Sequence, residues 1–569
     1  MSGPGDRASK RFYSEKPTPS VMADGHGAGP NNADLDQAIS RGLRSSASSD
    51  MSLAQELGDL GGASLLTVGA WQPREGVDPQ SAERASEESD AIVVPEKSTK
   101  TRVTPVEPME ERVAAKGKSS SRNASWAQDQ EDAHTCLTRI GERAKRDREE
   151  RFTNLLSHIK EPLVLEAYER LRKDGATGVD EETWKMYGVQ LAERVRGLRD
   201  RIHRGSYHPQ PVRRVHIPKG DGSTRPLGIP TLEDKLVQQA VKMLLEPIYE
   251  ARFVGFSYGF RPGRSPHRAL DAAAAAIKGK VSWVLDADIR SFFDTVDHGW
   301  MQKFIEYEIG DRRLVHLIMR MVRAGVMEDG KLHEAKEGTP QGGVISPLLA
   351  NIYLHYVFDL WVQSWRKKHA RGAVYVVRYA DDLWLGFQYE ADARAMRAAL
   401  AERIAKFGLE LHPDKTRVFR FGRFAHEYVG ADGRSRPETF DFLGFTHIAA
   451  KSLDGRFLLK RRTSRKKRRA KLARIREELE KRRHQSPKWQ HEWLSRVLRG
   501  HYAYYAVPTN IRALYSYRRE IENAWLRQLQ RRSQRARFSD ERRKRFLAKY
   551  PLPLPKITHP WPDERFNVR

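Results

Sequence analysis

The stretch VYVVRYADDLWLGF, residues 374–387, constrains this chain more than any other. Two apolar, β-prone arms flank a polar centre whose middle is Asp381-Asp382, so the pattern predicts a β-hairpin carrying paired carboxylates at its turn. Adjacent carboxylates repel one another. The repulsion becomes useful where divalent cations sit, because hard oxygen ligands suit Mg²⁺ and two such ions stabilise both the attacking and the leaving oxygen of a phosphoryl transfer. A solvated Asp-Asp turn satisfies the same letters, so the rest of the chain has to decide between the two.

Charge narrows the partner. Lys and Arg number 101 against 74 Asp and Glu, a formal net charge of +27 over 569 residues, which is the footprint of a protein that tracks a polyanion. Cys136 is the sole cysteine, which excludes an intrachain disulfide and a cysteine-rich zinc module and fits a reducing compartment. No apolar run is long enough to span a bilayer, and the amino-terminal MSGPGDRASKRFY lacks the apolar core of a secretory signal. A cytoplasmic protein with no membrane partner is expected.

Residues 1–125 are rich in Ser, Gly, Pro and mixed charge, and they are expected to form a disordered low-complexity extension. Helical periodicity follows from about Asp132, broken by a turn at Gly175 to Gly178, which makes 126–210 a helical lead-in. VRRVHIPKGDGSTRPLGIP, residues 212–230, predicts a hairpin turning at Asp221-Gly222, with Lys219 and Arg225 projecting from paired strands where they could clamp a triphosphate. A helix is predicted over 232–249, then a Gly-Pro loop with Arg261, Arg264 and Arg268. VSWVLDADIRSFFDTVDH, residues 281–298, reads as a buried strand ending in acid. Period two places Asp286 and Asp288 on one face, and Phe293 could pack under an incoming sugar. A third carboxylate from this strand is what a site around Asp381 and Asp382 lacks, although Asp288 could instead cap the following helix.

GTPQGGVISPLLANIYLHYVFDLW, residues 338–361, joins a glycine-rich loop to an apolar helix. Its glycines, Gly342 among them, permit close backbone approach to a ligand, and Gln341 can hydrogen-bond a base or ribose edge. A helix is predicted over 391–407, Lys415 on a strand-like edge in LELHPDKTRVFRF, and one further aromatic strand in ETFDFLGF. From about residue 456 a very basic helical run begins, followed by WLSRVLRGHYAYYAVPTN, where cations alternate with aromatics. That mixture suits RNA phosphates and unstacked bases, and equally a solvated helix beside a core aromatic cluster.

Taken together, these blocks resemble the bacterial group II intron-encoded proteins, which are reverse transcriptases joined to a maturase domain. The likeness covers about residues 133–559, in the family's order. It implies an α+β right-hand polymerase: a lead-in over 126–210, fingers and palm over 211–450, a helical thumb and RNA-binding maturase region over 451–545, and a basic, proline-rich tail over 546–569. The palm sheet is expected to be antiparallel, with helices on one face. By the resemblance Asp288, Asp381 and Asp382 hold two Mg²⁺, for which Mn²⁺ could substitute. Lys219, Arg225, Phe293 and Gln341 contact the deoxynucleoside triphosphate, with Phe293 excluding ribose. Tyr379 and Gly342 lie along primer and template, Lys415 gives a proton to pyrophosphate, and Arg499, Gly500, Tyr504 and Tyr505 bind RNA. The implied partners are the intron RNA, an RNA template and a DNA primer or target. The chain has neither the cysteine pairs nor the histidine spacing of the HNH nuclease that many relatives carry. Rival readings are a retron, diversity-generating or defence-type reverse transcriptase, a non-enzymatic RNA-binding splicing factor, and a DNA-templated polymerase.

Overall fold

The computed structural model describes residues 122–561 except 219–223, 329–330, 334–337, 339–341, 430–435 and 534–538, with side chains from residue 134 onward, Leu332 aside. Lys219, Gln341, nearly all of the 1–125 extension and the end of the tail lie outside the described residues.

Eleven strands form three sheets among the described residues. The first is ordered β2-β1-β4-β5, from β1 (Val212–Pro218), β2 (Thr224–Ile229), β4 (Val326–Glu328) and β5 (Lys331–His333). The second is ordered β6-β7-β3-β8, from β3 (Trp283–Asp288), β6 (Val374–Tyr379), β7 (Asp382–Phe387) and β8 (Arg417–Arg420). The third is ordered β11-β10-β9, from β9 (Thr439–Phe442), β10 (Phe445–Lys451) and β11 (Phe457–Thr463).

The second sheet is antiparallel throughout, and its register explains how the site is placed. Asp288 pairs with Asp382 and Leu285 with Leu385, while Val284 pairs with Phe419. Because side chains alternate, Leu285, Ala287, Leu383, Leu385, Val374 and Val376 fall on one face and join the main core with the Glu390–Ala405 helix. Val284, Val377, Trp384 and Phe419 fall on the other and join a second core with the Pro266–Lys278 helix and Phe440, Phe442 and Phe445 of the third sheet. Helices therefore cover both faces, where the sequence predicted one. Strands buried on both sides account for the near-continuous apolar runs in 283–285 and 383–387. Asp286, Asp288 and Asp382 continue the second face past the end of its core, so acid appears where packing stops.

Helix starts follow their caps. The Thr231 hydroxyl accepts from Asp234 N to open Leu232–Glu250, and the Ser265 hydroxyl accepts from Arg268 N ahead of Pro266. Asp297 accepts from Trp300 N and caps His298–Glu308, and Ser291 stands at the cap position of Phe292–Thr295, so Asp288 caps neither helix and accepts from Lys415 instead.

Three local expectations are corrected. ETFDFLGF is a hairpin rather than one strand, because Leu443 and Gly444 take φ of 47° and 84° and turn β9 into β10. Residues 457–463 of the basic run form β11, paired along its length with β10, and the helix begins only at Arg465. There Leu459, Arg461 and Thr463 alternate inward, so tertiary pairing overrides helix propensity. Lys415 sits in the turn before β8 rather than on a strand.

Candidate active site

The turn between β6 and β7 consists of Ala380 and Asp381, and Ala380 holds φ at 57°, a strained value for a residue with a β-carbon. Support for the strain lies underneath. Arg378, fully buried, makes a two-pronged ion pair with Asp359 at 2.7 and 2.6 Å. Its remaining nitrogen donates to Asn351 Oδ1 at 2.9 Å and to the Ala380 carbonyl at 3.2 Å. Burial works against the Asp359 charge, but Arg378 and His355 outweigh it and hold that carboxyl below its usual range. Asp359 ends a π-helical segment, His355–Asp359, inserted between Ser346–Leu354 and Leu360–Lys368. Asn351 also donates to the Gly259 carbonyl at 2.7 Å, and Gly259 packs so closely that a β-carbon there would lie 2.3 Å from Ala380 N.

On the exposed side of this scaffold the carboxylates gather. Asp288 lies directly across from Asp382, and Asp381 occupies the turn beside them. Burial, then the Asp381 and Asp288 charges, push the Asp382 carboxyl up to about 6. Asp382 is nevertheless open to water rather than inside a core. Asp381 is raised by burial and by Asp288, with its own backbone and the cations Arg225 and Lys415 working the other way. Burial pushes Asp286 up to about 7 against the pull of Arg417, 4.0 Å away, with Asp382 and Asp288 adding to the rise.

Lys415 Nζ lies 2.5 Å from Asp288 Oδ2. It is brought there because residues 409–416 run beside 288–290: Arg290 N donates to Glu410 O, His412 N donates to Asp288 O, and Ile289 bridges Leu411. Among the described residues no three His, Cys, Asp or Glu side chains converge tightly enough to hold an ion. Asp288 meets the Lys415 ammonium instead. The donor set fits Mg²⁺ or Mn²⁺: carboxylate oxygens only, with Asp381 and Asp382 raised above the ordinary carboxylate range by burial and by neighbouring acid, and a lysine beside Asp288.

Around this acid lie the parts expected to meet a nucleotide. β1 and β2 pair antiparallel as the arms of the predicted hairpin, whose turn at Asp221-Gly222 lies outside the described residues; Ile217 is opposite Arg225, and the exposed Arg225 is near enough for its charge to act on Asp381. Gly342, at φ 117°, packs against β2, where a β-carbon would lie 2.6 Å from the Gly228 carbonyl. Gly338 is pinned by its N–H to Val296 O at 2.9 Å and by its carbonyl to His298 Nε2 at 2.6 Å. Gly338 thus sits against residues 296–298, and Gly342 against β2. Phe293 is half-buried beside Gly338, edge-on to Phe292 at 5.3 Å. If the exposed part of this ring lies under the sugar, Phe293→Ala will admit ribonucleotides, because steric exclusion and not hydrogen bonding rejects the 2′-hydroxyl. Ribonucleotide against deoxynucleotide incorporation measures it, and an unchanged ratio would reduce Phe293 to a core residue.

Three expected cations and rings have structural partners. Arg261 is buried and bonded to Glu250 and to the Val254 and Ser257 carbonyls. Tyr504 donates its hydroxyl to Leu443 O at 2.8 Å and stacks on Phe445, and Tyr505 lies against Phe445 and His501. Both tyrosines thus sit in the aromatic cluster joining the third sheet to the Pro487–Tyr505 helix, while Arg499 and Gly500 are exposed on that helix. A cavity of about 450 Å³ opens beside them, lined by Lys467, Lys471, Arg496, Gly500, His501 and Tyr505. Lys467 is near enough to act on Asp382.

Arg378, Asp359 and Asn351 were not anticipated. A signal existed, since Arg378 follows Val374 and Val376 on the inward face of β6, and a buried charge demands a partner.

Residues 217–447 match the family model described as reverse transcriptase (RNA-dependent DNA polymerase). Protein YkfC of Escherichia coli (strain K12) is 37% identical over 308 residues, 47% of this chain and 80% of that protein. Group II intron-encoded protein LtrA of Lactococcus lactis subsp. cremoris is 39% identical over 241 residues, 41% of this chain and 39% of LtrA. Nuclear intron maturase 2, mitochondrial, of Arabidopsis thaliana is 26% identical over 242 residues, 35% of this chain and 31% of the maturase. This chain thus spans well under half of the latter two relatives. The paired carboxylates on an antiparallel sheet, the family match and the coverage of most of YkfC lead to one conclusion: the chain belongs to the reverse transcriptase family, among the group II intron-encoded reverse transcriptases and maturases.

Proposed function

We propose that this protein extends a DNA primer on an RNA template from the face where Asp288, Asp381 and Asp382 meet. The observation that carries the reading is the register of Asp288 opposite Asp382 beside a strained turn that holds Asp381. Two bound Mg²⁺ would lower the pKa of the primer 3′-hydroxyl and offset charge on the transferring phosphoryl group. In this reading the three carboxylates hold the site and Arg225, with Lys219 and Gln341 of the adjoining loops, binds the triphosphate. Phe293 bounds the sugar, Tyr379 and Gly342 border primer and template, and Lys415 Nζ gives its proton to departing pyrophosphate as the 3′-oxygen bonds the α-phosphorus. Fingers and palm are assigned to 211–450 and thumb and maturase region to 451–545, with 126–210 leading in and 546–569 as a tail. No described helix is long and apolar enough to cross a membrane; the cytoplasm is the proposed place of action.

The same chain is proposed to bind a group II intron RNA and assist its splicing. Support comes from the basic cavity around Lys467, Lys471 and Arg496, and from Arg499 and Gly500 exposed beside it, with Tyr504 and Tyr505 acting by holding that surface on the palm. Gripping a folded RNA requires no polymerase metal. Asp381→Ala with Asp382→Ala is therefore expected to eliminate cDNA while splicing stays near normal, and Tyr504→Ala with Tyr505→Ala to impair splicing. Spliced-to-unspliced RNA at near-physiological Mg²⁺, with thermal melting of both variants, is the measurement. A palm variant that loses splicing while binding RNA normally would overturn the separation.

A further inference from the structure

Phe260 is 55% exposed and holds φ at 57°, a conformation that costs free energy for any residue with a β-carbon. The backbone on both sides fixes it there. Ser257 bridges Arg378, and Tyr258 N donates to Arg378 O at 2.8 Å, so residues 257–258 run beside the end of β6. Gly259 is locked between Asn351 and the backbone of Ala380. On the far side Arg261 is anchored by Glu250, Val254 and Ser257. A large apolar ring is thereby turned outward at the edge of the catalytic turn, with its centroid 6.4 Å from that of Tyr379. Tyr379 in turn lies directly across from Asp382. Neither packing nor backbone preference accounts for a phenylalanine at such a position, and glycine would relieve the strain.

We propose that Phe260 is a stacking residue for the 3′-terminal nucleotide of the primer strand, forming with Tyr379 a two-ring platform beside the carboxylates. The occupant follows from distance: the strand whose 3′-hydroxyl must reach Asp381 and Asp382 is the one that passes the rings flanking their turn. Stacking is tolerant of sequence because every base has a π-face, so the site takes any primer end, DNA or RNA. The proposal rests on the polymerase reading of the carboxylates, and its test contains an arm that needs no catalysis.

Full-length protein carrying Phe260→Ala, Phe260→Gly or Phe260→Trp would be compared with the unsubstituted chain. Primer–template duplexes would carry 2-aminopurine either at the primer 3′ end or at the template base opposite, and be bound without nucleotide. The primer-end probe is expected to lose its quenching in Phe260→Ala and Phe260→Gly and to keep it in Phe260→Trp, while the template probe is unaffected. In extension assays KM for primer–template should rise about tenfold in the Ala and Gly variants with KM for nucleotide unchanged. Phe260→Gly should melt no lower than the unsubstituted protein, which a merely structural ring would not allow. Unchanged primer-probe fluorescence, or a response confined to the template probe, would overturn the proposal. Absence of extension by the unsubstituted protein would instead remove the polymerase reading and leave the fluorescence result standing.

Discussion

Asp288→Ala and Asp381→Ala are each expected to abolish primer extension in Mg²⁺ while leaving the protein folded. Each substitution removes an oxygen donor from a site whose ions would supply several kcal/mol to the transition state, so a loss of more than about a hundredfold is expected. Folding should survive because these groups oppose one another. Burial and Asp288 raise Asp381, so removing either carboxylate relieves a cost the native state carries. What Asp288 loses is its pair with Lys415, whose side chain is 61% exposed, and such pairs contribute about 0–1 kcal/mol. Extension of a DNA primer on an RNA template, with circular dichroism alongside, is the measurement. Activity within about tenfold of the unsubstituted protein would contradict the metal-site assignment.

Arg378→Ala should cost both stability and activity, through a different cause. It leaves Asp359 ionised and fully buried with no guanidinium, which costs about 3–5 kcal/mol where one partner of a buried pair is removed. That is a large part of the roughly 5–15 kcal/mol by which a protein is stable. The double change Arg378→Met with Asp359→Leu removes both charges and should recover most of the melting temperature. It should not recover extension. The Ala380 carbonyl and Asn351 Oδ1 would still lack their donor, the turn would be free to leave its strained φ, and displacement of about an ångström at the reacting centre costs about a hundredfold. A double variant with normal melting and normal extension would show that this network supports the fold alone.

Much of the site was legible because its chemistry is local in sequence. The hairpin arms of 374–387, the period-two placement of Asp286 and Asp288 and the 212–230 hairpin all follow from alternation and turn letters. The contact of Lys415 with Asp288 was not legible, since it depends on an irregular segment laid beside 288–290. Residues 457–463 look helical by composition and become a strand because β10 offers an edge. Tyr504 and Tyr505 show the opposite limit: paired aromatics among cations read equally well as stacking surface or as core, and only packing against Phe445 and Leu443 O distinguishes the two. The second helical cover of the β6-β7-β3-β8 sheet was not legible for a similar reason, since the alanine-rich 269–276 stretch bears no mark of which sheet face it will meet.

The most direct measurement is single-nucleotide extension by the purified full-length protein of a DNA primer annealed to RNA or to DNA of the same sequence, with Mg²⁺ and with chelator. Templated addition on RNA that requires the divalent ion and is lost in Asp381→Ala with Asp382→Ala is the expected result. No addition on RNA in Mg²⁺ or Mn²⁺, or addition that persists in the double variant, would contradict it.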